Sequence, residues 1–407
     1  MAASPQFSIP KEYQNELRYV DALDKRSDED ILRSLETHRP VTSEKNIWAF
    51  WDKGLRSMPG WCQRNVINWV RLCGPSWTVR VLDAIPDSPN YALNYVSADL
   101  LPQSFVNGTM TGVYVGPYSS DFLRGACLYT HGGVYMDVGI ILTRDLDRIC
   151  WNQLADPNSP YEVSAPIMFG TIMANHFVAS RKGNPFIKGW HDIFVHLWKG
   201  RQNHEGIIQD PLVSFALRNT FKEAEEANFN WDFNVEPQTV FEYIAQVLSW
   251  MRLCMLEGTG TGDDSNNNGF SGTEYWLNNV LIFNALQEDW GAEATIGFGG
   301  QILFDALATK LDAPRDSEEY KTAYKLVWRL LTPSSMQKIT HGKNLTKTPA
   351  LGALWDEETN KDKDHEPGTF AELLRYGSVH FEQTRERIEY LEAQRPAETF
   401  KKGLLEP

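Results

Sequence analysis

Two spacings of apolar residues alternate along this chain, and the switches between them predict an α/β protein. Lys45-Asn46-Ile47-Trp48-Ala49-Phe50-Trp51-Asp52 is aromatic and β-branched and runs out near Gly54, which reads as a strand. Over residues 59–73, Trp61, Val66, Trp69, Val70 and Cys73 recur at three- and four-residue spacing, which predicts a helix with Pro59 suited to its first turn. Residues 77–83 return to the strand pattern. A strand–helix–strand unit of this kind favours parallel strands joined by a right-handed crossover. Residues 84–118, rich in Pro, Asn, Ser and Gly, read as loops with one short helix at 97–101.

The next switch is the densest. Phe122, Leu123, Ala126, Cys127 and Leu128 predict a helix that Ser119 or Ser120 can cap. Gly132-Gly133 can then supply a left-handed cap and let backbone approach backbone. A buried strand over 134–136 ends on Asp137, and Ile140-Ile141-Leu142 follows. Residues 162–169 and 176–180 read as further strands. Helices are expected over 186–198, near 209–221 and 238–256, and over 274–288, 301–311, 318–331 and 370–392. Residues 11–17 and 28–37 are also helical in pattern, the second capped by Ser27. The run 257–269 has no apolar residue to anchor it and reads as a mobile loop. These elements divide the chain into an N-terminal helical appendage (1–44), a main α/β domain (45–311) and a C-terminal helical region (312–407) packing on it.

Composition narrows the classes. An apolar fraction of 42% with 14 Trp and 20 Phe predicts a substantial core and argues against general disorder. Against 39 basic residues stand 53 acidic ones, a net charge of −14, which disfavours nucleic acid and anionic membrane as partners. The cysteines Cys62, Cys73, Cys127, Cys150 and Cys254 form no CxxC and no Cys/His cluster. They read as reduced, buried thiols rather than a zinc site. The first residues lack the basic and apolar regions of a signal peptide, and no apolar run reaches about 18 residues. A soluble, cytoplasmic protein without a membrane span is expected.

Ser120, Asp121, Arg124, Gly132, Gly133, Tyr135 and Asp137 fall in the pattern S-D-x-x-R…G-G-x-Y-x-D. This stretch resembles the capsular-polysaccharide-synthesis-type glycosyltransferases, and Ile47, Trp48, Trp51 and Gly54 match that family's I-W-x-x-W-x-x-G. The resemblance covers residues 45–200 well and implies a GT-A-like, Rossmann-like fold in that main domain. Its mixed, mostly parallel sheet would be flanked by helices, with N- and C-terminal helical additions. It also implies a hexosyltransferase-like enzyme that retains anomeric configuration. Such an enzyme moves a sugar from a nucleotide-sugar donor, such as a UDP-sugar, to a hydroxyl of a small molecule or glycan. Carboxylates accept hydrogen bonds from sugar hydroxyls and Arg donates several in a fixed fork. By resemblance, Asp121, Arg124 and Asp137 are the catalytic residues that hold the donor. Trp48, Trp51, Tyr135 and His341 join them in donor binding, with Trp51 the tryptophan favoured against the base.

One departure from the family concerns metal. A divalent ion stabilises the leaving diphosphate, and many relatives hold it with Asp-x-Asp. This chain has Asp137-Val138-Gly139. Mn²⁺ or Mg²⁺ would then fall to Asp137, with His341 of Thr340-His341-Gly342-Lys343 as a distant ligand. Lys343 could substitute for metal charge, and Asp145 and Asp147 are stand-in ligands. Asn175 and His176 would line the acceptor side. Two other readings keep the scaffold and change the function: rearrangement or cyclisation of a small metabolite, or a catalytically inactive binding module.

Overall fold

Asn46–Phe50 and Thr78–Leu82 are parallel neighbours joined through the helix Gly60–Cys73, as their spacing predicts. A computed structural model describes residues 5–218, 221, 224, 226, 229, 231–258, 270–342 and 344–407. Its strands in chain order are β1 (Leu17–Tyr19), β2 (Asn46–Phe50), β3 (Thr78–Leu82), β4 (Gly133–Met136), β5 (Ile140–Leu142) and β6 (Val163–Met168). They continue with β7 (Ile172–Met173), β8 (Phe177–Ser180), β9 (Val280–Asn284), β10 (Met336–Lys338), β11 (Phe381–Gln383) and β12 (Tyr390–Leu391).

The main sheet runs β12-β9-β6-β8-β4-β2-β3, with β7 paired to β6. β8 and β12 run against their neighbours; the β2–β3, β2–β4 and β6–β9 pairs are parallel. This is a mixed sheet in an α/β protein, with β2, β3, β4, β6 and β9 running one way. Alternation along each strand sends side chains to both faces, and both are buried. Trp48, Phe50 and Tyr135 point to one face, packed with the helices Val115–His131, Pro185–Leu197 and Ala245–Cys254. Ile47, Ala49, Val134 and Met136 point to the other, packed with Gly60–Cys73, Glu318–Leu331 and Phe370–His380.

The turn into β4 places the motif. The N–H of Gly132 donates to Leu128 O (2.8 Å) and ends the helix Val115–His131. Gly133 follows at φ +107°, and a Cβ there would stand 2.4 Å from Asn46 O. The backbones of β2 and β4 therefore meet because position 133 has no side chain. The helix itself starts at Val115, earlier than Ser119 or Ser120. Neither serine caps it: Ser119 Oγ donates to Val115 O (2.7 Å) and Ser120 Oγ bonds the Tyr135 hydroxyl (2.8 Å).

Several elements differ from their patterns. Residues 274–288 hold the helix Gly272–Asn279, strand β9 and the helix Ala285–Glu288. Val280-Leu281-Ile282-Phe283 is continuously apolar, so no period separates a buried strand from a buried helix; parallel pairing with β6 decides it. Residues 370–392 end as helix at His380, and β11 then pairs with β1, which lies in a segment expected to be helical. The N-terminal segment is thus part strand, while Ser27 caps Asp28–Leu35 as expected. Near 209–221, among the described residues, only the 3-10 turns Ile207–Gln209 and Ser214–Arg218 form, and 238–256 divides into Pro237–Tyr243 and Ala245–Cys254. Most of the expected mobile loop, 259–269, and Lys343 lie outside the described residues. All five cysteines are buried and free. Among the described residues no helix is long and apolar enough to cross a membrane.

Gly133→Ala is expected to cost roughly 2 kcal/mol or more, because it adds both backbone strain and a clash with β2. Gly183→Ala, also at positive φ (+73°) but with nothing within 4 Å, should cost about 1 kcal/mol. Urea denaturation of the two variants measures the difference.

Candidate active site

Asp137 follows the last residue of β4, at the carboxyl end shared by the parallel strands β2, β3 and β4. Ligands in open α/β sheets gather at such ends. Its backbone N–H donates to His176 O on the adjoining chain (2.9 Å). Alternation along β4 puts Asp137 on the same face as Tyr135, toward the helix Val115–His131. Asp121 and Arg124, three residues apart on that helix, share the side that looks back at it.

The three side chains meet through Arg124. Its Nη2 donates to Asp137 Oδ1 (2.8 Å), and its Nη1 donates to Asp121 Oδ1 and to Gln246 Oε1 (2.6 Å). The guanidinium lies over the Tyr135 ring, 4.8 Å from its centroid. Asn175 Nδ2 donates to Asp121 Oδ1 (3.1 Å) and to Gln246 Oε1 (2.9 Å). From the other side Lys338 Nζ donates to Asp137 Oδ2 (2.8 Å). Two carboxylates are thus matched by two cations. Arg124 is 2% exposed, Lys338 8%, Asp121 12% and Asp137 28%, so Asp137 is the member that opens most to solvent.

Burial and neighbouring charge separate the two acids. Burial pushes Asp121 up to about 6, with Arg124 opposing it only in part. Burial also raises Asp137, but the charges of Lys338 and Arg124 outweigh it and hold the carboxyl well below its usual range. A carboxylate held so low is a weak proton acceptor and a durable hydrogen-bond acceptor.

The remaining sequence candidates lie in different places. Trp48 is 0% exposed; its Nε1 donates to Gly132 O (2.9 Å) and its ring stacks on His131. It has no free face for a base and belongs to the core. Trp51 follows β2 at the same end of the sheet as Asp137 and is half-buried against the opposite face. Tyr135 is fully buried and carries Arg124 on its ring rather than reaching outward. His341 lines a small cavity with Lys338, Thr340, Trp290, Glu293 and Phe298, and burial pushes its pKa down. Asp147 pairs with Lys45 (2.8 Å), which precedes β2, so it sits at the far end of the sheet from Asp137. Asp145 caps the turn at Arg148 N (3.0 Å). His176 Nε2 bonds the buried Asp289 (2.8 Å).

These residues do not fit the expected divalent ion. Such an ion needs several free oxygen ligands. Both oxygens of Asp137 already accept from cations, and a Cβ on Gly139 would stand 2.3 Å from Thr340 Oγ1, so an acid at that position would require Thr340 to move. Among the described residues the group of three acid, His or Cys side chains close enough to share an ion is Asp362, Asp364 and His365. It includes neither Asp137 nor His341, and Asp364 already receives Arg64 and Arg375 (2.9 and 2.8 Å).

Sequence reasoning missed Gln246 and Lys338. Neither carries a local signal: Gln246 is 122 residues from Arg124, and Lys338 is 201 from Asp137. The segment around His341 carries a candidate in the sequence, but its contact with the motif comes from a lysine three positions earlier.

Residues 5–236 match the family model described as capsular polysaccharide synthesis protein. The chain is 53% identical to the probable glycosyltransferase FCK3 of Fusarium pseudograminearum, over 98% of this chain and 99% of that one. It is 39% identical to the O-glycosyltransferase braB of Annulohypoxylon truncatum, over 95% and 92%. Against the glycosyltransferase afumC of Aspergillus fumigatus it is 38% identical, over 89% and 92%. Among solved structures, the PaToxG glycosyltransferase overlaps 45% of this chain and 70% of its own at 17% identity; the TM-score of 0.30 is too low to bear on the fold.

Arg124→Ala should leave two facing acids without their shared guanidinium and cost about 3–5 kcal/mol in urea denaturation at pH 8. A carboxyl whose folded pKa lies above its unfolded value binds protons more readily when folded, so stability rises as pH falls through the folded value. The penalty in Arg124→Ala should therefore be smaller at pH 5 than at pH 8.

Proposed function

Because this chain belongs to the capsular polysaccharide synthesis protein family and is a glycosyltransferase, we propose that it draws its sugar from a nucleotide-sugar donor bound over Asp137. The donor sugar lies against Asp121, Arg124 and Asp137 on a GT-A-like scaffold, and a UDP-sugar is the type considered first. The acceptor is a hydroxyl of a small molecule or glycan, in keeping with relatives named O-glycosyltransferases. Residues 45–311 form the catalytic domain, with 1–44 and 312–407 packed on it. The last of these carries Lys338 and His341 to the site. Repurposed non-glycosyl chemistry and an inactive binding module are not favoured by these relatives.

The observation that carries this reading is the guanidinium of Arg124 shared between Asp121 and Asp137 at the carboxyl end of β4. Fixed by Tyr135 and Gln246, the group is preorganised, so little reordering is needed when sugar hydroxyls arrive. Asp137, the most exposed member, accepts hydrogen bonds from the sugar. The sugar–phosphate bond breaks with its electron pair going to the diphosphate, the acceptor oxygen bonds the anomeric carbon, and the hydroxyl proton is released. Asp137 is too weak a base to take that proton, so the site works by positioning the sugar and stabilising the leaving group.

A panel of UDP- and GDP-sugars, read by mass detection of donor breakdown and product, tests the proposal; no turnover with any donor contradicts it. Asp137→Asn is expected to lower kcat/KM by about a hundredfold or more. With an active donor in hand, kcat/KM should fall as pH drops through about 6, where Asp121 gains a proton and releases Arg124. A profile flat between pH 5 and 8 contradicts that role for Asp121.

A further inference from the structure

The space beside the motif that an acidic side chain at position 139 would fill is closed by the segment carrying β10. β10 pairs antiparallel with β5, with Lys338 opposite Ile140, and Ile339 N donates to Gly139 O (3.0 Å). Thr340 follows, its Oγ1 2.3 Å from where a Cβ on Gly139 would stand. Two residues upstream of that contact, Lys338 reaches Asp137 Oδ2 at 2.8 Å. One segment therefore both crowds position 139 and brings in an ammonium group. The Lys338 side chain is 8% exposed, so it is held in place rather than free in solvent.

We propose that Lys338 is the cation that meets the donor diphosphate in this enzyme, so that nucleotide binding and sugar transfer need no divalent ion. This rests on the nucleotide-sugar reading above. An ammonium has three N–H donors, and among the described residues only one of them, to Asp137, has a partner. Lys338 also lines a small cavity with His341, Trp290 and Phe298. As the bond from the anomeric carbon to the diphosphate oxygen breaks, that oxygen takes the electron pair and one further negative charge. The fixed ammonium stabilises that charge, while the anomeric carbon bonds the acceptor oxygen and the hydroxyl proton leaves to solvent. No other co-reactant is needed.

Calorimetric titration of the full chain with UDP, GDP and ADP, in EDTA and again in Mn²⁺ or Mg²⁺, tests this without relying on turnover. One nucleotide should bind with a Kd that changes less than threefold between the buffers. Lys338→Met should weaken binding at least tenfold in both, and Lys338→Arg should recover part of the loss. Circular dichroism checks that each variant is folded; should Lys338→Met fail to fold, the wild-type comparison and Lys338→Arg still decide. Binding tightened tenfold or more by the ion, or unchanged in folded Lys338→Met, overturns the proposal while leaving the nucleotide-sugar reading intact. No binding of any of the three nucleotides in either buffer removes both.

Discussion

Two carboxylates on different elements point at the same place, and they stay there because one guanidinium lies between them. Arg124 is almost fully buried, and an unpaired buried charge is among the costliest things a protein can hold. Its two acids meet that cost in charge, Gln246 meets it in hydrogen bonding, and the ring of Tyr135 supports its face. The acids are constrained in return: without Arg124, Asp121 and Asp137 would repel each other across a dry space. Lys338 completes the balance at two charges of each sign. The interior can therefore carry a highly polar group at the edge of its core.

That arrangement depends on backbone geometry set elsewhere. The helix Val115–His131 carries Asp121 and Arg124, β4 carries Tyr135 and leads into Asp137, and the chain passes between them through the Gly132–Gly133 turn. With no side chain at 133, β4 can lie against β2, and the helix folds back over the strand it precedes. Trp48, buried beneath that turn with its N–H on Gly132 O, anchors it. The tryptophan that resembles a base-stacking residue in sequence thus serves the geometry of the site from within the core.

The parts of the fold and site that are local in sequence were legible there, and the parts made by distant chain were not. The unit β2–helix–β3, the helix of Asp121 and Arg124, the glycine turn and the strand ending on Asp137 all follow from spacing within about a dozen residues. Strands β9, β11 and β12 did not: β9 is a continuous apolar run that reads equally as helix, and β11 and β12 are too short to show a period, so only a partner strand defines them. The same limit applies to the site. Side-chain alternation told Trp48 from Trp51 by face, but not that the Trp48 face is sealed. Asp137 was legible as a carboxylate at a strand end. That a lysine arriving from β10 would occupy its second oxygen was not, because the pairing is fixed only by the closed fold.

The central claim is that Arg124 makes Asp121 and Asp137 a single functional unit, and a double-mutant cycle tests it most directly. With kcat/KM measured for Asp121→Asn, Asp137→Asn and the pair together, the account predicts strong non-additivity. The double variant should lose little more than the worse single variant, since either change already breaks the bridge that Arg124 makes between the two acids. Losses that simply multiply would mean that the two acids act independently and that the shared contact with Arg124 is structural only.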